Sequence, residues 1–151
     1  MASSMRYRDF TFKEPTMCLT LYLASSIPLP LIPWVEEAPS FYIKELECPP
    51  DDPSVKSRFT FTHLYFVGSH MGCGCGFVKG AQEGDEAERI ENYVKFAGYV
   101  RSARTDGADL QLFSCWRGDE LIEPESRHVV SADTLLDPEF EFEEKAFYVI
   151  E

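Results

Sequence analysis

Alternating apolar and polar residues predict several β-strands along the chain. The strongest signal lies at 17–24, where β-branched and aromatic residues support an extended backbone. Bulky residues alternate again over 58–67 and break at Gly68. Weaker signals of the same kind predict strands at 40–46, 109–116 and 126–130, a brief strand at 77–78, and two strand-like pieces of 139–151 around 143–145.

From residue 85 the spacing of apolar residues changes to that of a helix. Apolar residues recur three to four positions apart, acidic residues begin the segment, and Asp106-Gly107 ends it. We therefore expect one long helix over 85–104, in which Gly98 marks close packing on the sheet. The residues expected to face the sheet are Ile90, Val94 and Ala97, and those expected in solvent are Glu88, Glu91 and Lys95.

Strands interrupted by one long helix predict a single α+β domain over 17–151. We expect a mostly antiparallel sheet of about five or six strands, with the helix packed on one face. The helix lies between the third and fourth strands, which allows one parallel crossover there. Residues 1–16 are polar and mixed in charge, and we interpret them as a loosely held N-terminal arm. The expected core comprises Leu19, Leu21, Leu23, Phe61, Tyr65, Ile90, Val94, Ala97, Leu112, Phe142 and Val149.

Charge and composition narrow the classes of partner. The chain has 151 residues, with 14 Lys and Arg against 26 Asp and Glu, and its net charge is −12. This sign opposes binding through neutralised phosphates, so we expect no nucleic acid partner. We expect no membrane span either, because Pro28, Pro30 and Pro33 interrupt the long apolar stretch. The negative net charge does not exclude binding to a protein partner. Five cysteines, an odd number without paired spacing, favour a reduced cytoplasmic location.

A glycine–cysteine loop, defined as residues 68–80, carries most of the candidate chemistry. His70, Cys73 and Cys75 offer one imidazole and two thiolates, which is a ligand set that Zn²⁺ prefers. The glycines would have to fold into a turn to bring the two thiols onto one ion. We take Cys115 as the fourth ligand, with Cys18, His63 and His128 as alternatives. A structural interpretation is also open, in which both cysteines are small buried residues of a glycine-kinked strand.

The same loop also fits thiol chemistry. Backbone N–H groups of a glycine turn can bind an anion and lower a thiol pKa, so Cys73 or Cys75 is a candidate nucleophile with His70 or His63 as its base. Cys18 is a further candidate if translation begins at Met17, because its own amine would then be the base. The residues predicted to line a binding site are Gly72, Gly74, Gly76, His63 and Trp116.

Two functional hypotheses follow from these patterns. The first is a small acidic module that binds a protein partner without catalysis and needs no cofactor. The second is a protein whose His70/Cys73/Cys75 loop binds zinc or activates a thiol. Neither hypothesis names a reaction, and the sequence leaves open whether the protein is an enzyme.

Overall fold

A computed structural model describes residues 18–46, 53–80, 84 and 86–151, and the statements below concern these residues. The N-terminal arm predicted over 1–16 lies outside them. No helix in the described ranges combines the length and apolar character needed to cross a membrane.

The described chain forms one six-stranded mixed sheet with one long helix and one short one. The α+β class with a mostly antiparallel sheet is therefore confirmed. The elements are β1 (Leu19–Ser25), β2 (Tyr42–Glu45), a 3-10 helix (Pro53–Arg58), β3 (His63–Gly68), a second 3-10 helix (Gly74–Phe77), α1 (Glu86–Thr105), β4 (Leu110–Trp116), β5 (Ser126–Val130), α2 (Ala132–Leu135) and β6 (Ala146–Ile150).

The strands are ordered β2-β3-β1-β4-β6-β5, so the first strand is central. Both β3 and β4 run antiparallel to β1. They are therefore parallel to each other, and α1 is the crossover that joins them past β1. A second parallel relation, between β5 and β6, was not predicted from the sequence.

The core lies mainly between the sheet and α1. Alternate residues of β1 (Leu19, Leu21 and Leu23) are buried toward the helix, whereas Tyr22 faces the other side, where Val55 of the first 3-10 helix covers the sheet. The expected core positions Tyr65, Ala97, Leu112 and Phe142 are confirmed as buried. Two expectations on the strands are wrong: Phe61 is half-buried and precedes β3, and Val149 is 42% exposed.

The predicted face of α1 is also wrong in part. Ile90 and Val94 are 50% and 51% exposed, and of the three expected contacts only Ala97 is buried. The physical reason is a cluster of aromatic rings, since Tyr93 and Phe96 pack against Phe77 and Phe142 at centroid distances of 4.9 to 6.2 Å. These larger rings turn the aliphatic stripe of the helix toward solvent. Glu88, Glu91 and Lys95 are exposed, as expected.

Element boundaries differ most around the third strand and the chain end. The segment predicted as a strand from 58 begins pairing only at His63, because residues 53–58 form the 3-10 helix that places Val55 against the sheet. Residues 77–78 form no strand, since Phe77 ends the second 3-10 helix. The C-terminal segment contributes one described strand, β6, rather than two pieces.

Candidate metal centre

The glycine–cysteine loop folds back directly after β3. The amide of Gly72 donates to the Ser69 carbonyl at 2.9 Å, and the amide of Ser69 donates to the Cys73 carbonyl at 3.1 Å. The Ser69 hydroxyl donates to the same carbonyl at 2.5 Å and accepts the amide hydrogens of Met71 and Gly76, each at 3.1 Å. One serine side chain thus closes the turn from inside. The glycines therefore form the turn that is needed to bring the two loop thiols together.

Glycine at 74 allows the loop to lie directly on the central strand. A β-carbon at this position would lie 2.8 Å from the Leu19 carbonyl oxygen and 3.2 Å from Leu21 Cγ. Gly72 has a φ of +86°, a conformation that favours glycine, and its carbonyl accepts a 2.5 Å hydrogen bond from the Tyr42 hydroxyl. The loop is therefore held against both β1 and β2.

Contact between the loop and β1 brings three cysteines together. The sulfurs of Cys18, Cys73 and Cys75 all lie within 4.8 Å of one another, and we call them the cysteine cluster. Cys18 immediately precedes β1, and the Leu19 amide donates to Cys75 Sγ at 3.3 Å. The Cys75 amide donates to Cys73 Sγ at 3.5 Å, which caps the second 3-10 helix. All three cysteines are half-buried.

Hydrogen bonding separates the pKa values of the two loop thiols. A hydrogen bond from the Cys73 thiol lowers the pKa of Cys75 to about 6, helped by the Leu19 amide, the Cys18 thiol and the charge of Arg117. The same hydrogen bond, together with burial, raises the pKa of Cys73. The arrangement therefore favours one negative charge on Cys75, with its neighbours as donors.

Two of the predicted metal ligands lie outside the cysteine cluster. Cys115 is fully buried on the other face of the sheet, 3.5 Å from the Thr20 hydroxyl, and burial raises its pKa to about 12. His70 lies in the loop, but its Nδ1 is 2.9 Å from Asn92 Nδ2, and it is not one of the ligands that cluster within 4.8 Å. The structure joins Cys73 and Cys75 with Cys18, one of the alternatives considered for the fourth ligand.

The remaining predicted residues divide between the two ends of the sheet. His63 pairs with Ser25, at the end of β1 opposite the cluster. His128 lies on β5 with its Nε2 3.1 Å from Glu143. Trp116 pairs with Leu19, so it lies at the cluster end, and its indole N–H donates to Glu144 Oε2 at 2.9 Å.

Arg117 also contributes to the site, although it is not among the site residues predicted from the sequence. Its amide donates to the Cys18 carbonyl at 2.7 Å, and its positive charge favours the Cys75 thiolate. The sequence places Arg117 directly after a predicted strand. Only the pairing of β4 with β1 shows that this position lies beside Cys18.

The chemistry of the donor set fits a soft metal ion. Three thiolates are strong ligands for Zn²⁺ and for other ions that prefer sulfur. Backbone N–H groups already point at two of the sulfurs, and such hydrogen bonds disperse the negative charge of metal-bound thiolates.

Comparisons of the chain with protein-family models, curated proteins and solved structures found no match.

Proposed function

We propose that this protein binds a soft transition-metal ion, with zinc as the first candidate, through Cys18, Cys73 and Cys75. The observation that carries the proposal is the convergence of three sulfurs within 4.8 Å. Tetrahedral Zn²⁺ with bonds of about 2.3 Å needs sulfurs about 3.8 Å apart. Each pair of sulfurs would have to approach by about 1 Å at most to reach that spacing.

The surrounding contacts support a site with limited freedom. Gly74 seats the loop on β1, and the Ser69 hydroxyl closes the turn before Cys73. Three protein ligands leave one coordination position of zinc for another residue, a water molecule or an exogenous ligand. The bound ion would polarise whatever occupies that position, while Arg117 adds a positive charge nearby.

Metal analysis of protein purified without a histidine tag tests the proposal. After reconstitution with zinc and removal of excess ion, we expect about one zinc per chain in wild type. Cys18→Ser, Cys73→Ser and Cys75→Ser should each lose most of it. Cys115→Ser is the matched control, because it changes a cysteine on the opposite face of the sheet and should retain the ion. Wild-type protein without stoichiometric metal, or equal loss in the Cys115 variant, contradicts the proposal.

A variant of His70 tests the ligand set predicted from the sequence. His70→Gln should retain stoichiometric zinc if the three thiolates provide the protein ligands. Loss of zinc in this variant, with the circular dichroism spectrum unchanged, would instead make His70 the fourth ligand and require its ring to leave Asn92. Cobalt substitution distinguishes the two sets spectroscopically, because sulfur and nitrogen ligands shift the cobalt absorption bands differently.

The hypothesis of a non-catalytic interaction module stays a prediction. One observation favours it: the exposed side chains of Ile90, Val94 and Leu136 line a cleft of about 320 Å³ between α1 and the segment after α2. Apolar surface of this kind is common at binding sites. The cleft and the cysteine cluster are formed by different residues, so the two functions do not exclude each other.

A further inference from the structure

The two cysteines that surround Cys75 have different relations to it. Cys73 is two residues away in the same loop, and its sulfur caps the 3-10 helix by accepting the Cys75 amide. Cys18 belongs to the start of the central strand, and 56 residues separate its neighbour Leu19 from Cys75. Only the second pair can join two separate elements of the fold.

The sulfurs of Cys18 and Cys75 already lie within 4.8 Å of each other. The Leu19 amide nitrogen lies 3.3 Å from Cys75 Sγ. The Cα atom of Cys18 is two bonds from that nitrogen, about 2.4 Å, and so lies within about 6 Å of the sulfur. A disulfide joins two sulfurs about 2.05 Å apart, so the Cys18 and Cys75 sulfurs would have to approach each other by no more than about 2.8 Å.

Cys75 is the sulfur placed to react first. Its sulfur accepts the Leu19 amide hydrogen at 3.3 Å, and the sulfurs of Cys73 and Cys18 lie within 4.8 Å of it. Its half-buried position leaves it open to a small molecule such as hydrogen peroxide. A partly exposed cysteine with a second cysteine sulfur beside it is the arrangement in which sulfenic acids form and resolve.

We propose that the cysteine cluster is an oxidation site, at which hydrogen peroxide oxidises Cys75 and Cys18 then closes a disulfide with it. In the first step the Cys75 thiolate attacks one peroxide oxygen. An S–O bond forms, the O–O bond breaks, hydroxide leaves, and the sulfur loses the two electrons that reduce the peroxide. In the second step Cys18 sulfur attacks the sulfenic sulfur, an S–S bond forms, and the S–O bond breaks. The leaving hydroxide takes the Cys18 proton as water.

The disulfide would also regulate the metal site, and this part rests on the proposed function. It removes two of the three thiolate ligands, so a bound zinc ion must leave when the bond forms. A bound zinc ion would in turn occupy the Cys75 lone pair and so protect this sulfur from peroxide. Reduction with dithiothreitol restores both thiols and the capacity for metal.

Peptide mapping under non-reducing conditions tests the oxidation. Metal-free full-length protein is treated with one equivalent of hydrogen peroxide, alkylated and digested. We expect the Cys18–Cys75 linked peptide as the main product in wild type and in the control Cys115→Ser. Cys18→Ser should instead accumulate a sulfenic acid at Cys75, trapped by dimedone. A main product that links Cys75 to Cys73 or Cys48, oxidation of Cys115 at an equal rate, or no intramolecular disulfide overturns the proposal.

The oxidation and the metal site can fail separately. Wild type that binds no zinc yet forms the Cys18–Cys75 disulfide contradicts the proposed function and supports the oxidation site. Wild type that binds zinc, but whose metal-free form gives no such disulfide, overturns the oxidation site alone. For zinc-loaded protein, a chromophoric chelator should report one zinc released per disulfide formed.

Discussion

Cys75 and Cys115 are the same type of residue in opposite environments. Hydrogen bonds from the Cys73 thiol and the Leu19 amide lower the pKa of Cys75, whereas burial raises the pKa of Cys115 to about 12. The two residues lie on opposite faces of one sheet, so their difference comes from local contacts rather than from the net charge of the protein. Reactivity with thiol reagents should therefore distinguish them clearly.

The first prediction concerns alkylation by iodoacetamide. In metal-free protein, the Cys75 rate should follow a titration with a midpoint near pH 6, because the thiolate is the reacting form and the pKa of Cys75 is about 6. Cys115 should remain unmodified until the protein unfolds. Peptide mapping at each pH measures both rates, and Cys73→Ala should raise the Cys75 midpoint by removing its main hydrogen-bond donor. A Cys75 midpoint near that of a free thiol contradicts this assignment.

The second prediction is the pH dependence of folding stability. A lowered folded pKa for Cys75 stabilises the folded state fully above the ordinary thiol pKa, and this stabilisation is lost as pH falls through about 6. The free energy of unfolding of metal-free wild type should therefore rise relative to Cys75→Ala between about pH 6 and 9. Above that range the raised pKa of Cys73 reverses the trend, since the unfolded chain ionises there first. Urea titrations of both proteins across this range would show a constant difference if the idea is wrong.

The third prediction uses two glycines with different surroundings. Gly74→Ala should destabilise the protein by about 1 to 3 kcal/mol, because the new β-carbon meets the Leu19 carbonyl oxygen at 2.8 Å. Gly98→Ala should stabilise α1 by about 0.5 to 1 kcal/mol, since nothing lies within 4 Å of its β-carbon position. Gly98 is exposed, so the sequence-based expectation of close packing there is wrong. Denaturant titrations test both signs, and a neutral Gly74→Ala would mean that the loop does not press on β1.

At the level of elements, α1 shows what periodicity can and cannot predict. The predicted bounds of 85–104 agree closely with Glu86–Thr105, because caps and spacing are local signals. Which face of the helix is buried depends instead on contacts with distant parts of the chain. An aliphatic stripe through Ile90 and Val94 and an aromatic stripe through Tyr93 and Phe96 both have helical spacing. The aromatic stripe is the buried one because it packs against Phe77 of the loop and Phe142 of the C-terminal segment.

The fourth prediction compares the two faces of α1. Ile90 was expected to face the sheet, where Ile90→Asp would bury an unpaired charge and cost several kcal/mol. Because half of this residue is exposed, we expect Ile90→Asp to change the free energy of unfolding by only about 0.5 kcal/mol. Phe96→Ala should cost about 3 to 5 kcal/mol, because Phe96 is fully buried between Phe41 and Phe77. Thermal and urea unfolding measure both, and a large effect at Ile90 would contradict the observed face.

At the level of the whole molecule, the site depends on a strand order that could not be predicted from the sequence. Cys73 and Cys75 were identified from their local spacing with glycine. Placing Cys18 beside them required the contact between the loop and β1. A period of two along β4 could have excluded Cys115, since an odd step separates it from the core residue Leu112 and directs it to the other face. No comparable signal placed Cys18 beside the loop.

The fifth prediction is that zinc stabilises the whole fold. The cysteine cluster joins the start of the central strand to the loop that precedes α1, so an ion bound there would connect the sheet to the helical layer. A ligand that binds only the folded state adds about 2.7 kcal/mol at 100 times its Kd. The melting temperature of wild type and Cys115→Ser should therefore rise with free zinc, and that of Cys73→Ser should not. If zinc binds stoichiometrically to wild type without raising its melting temperature, the unfolded chain holds the ion equally well, and the cluster does not couple metal binding to the fold.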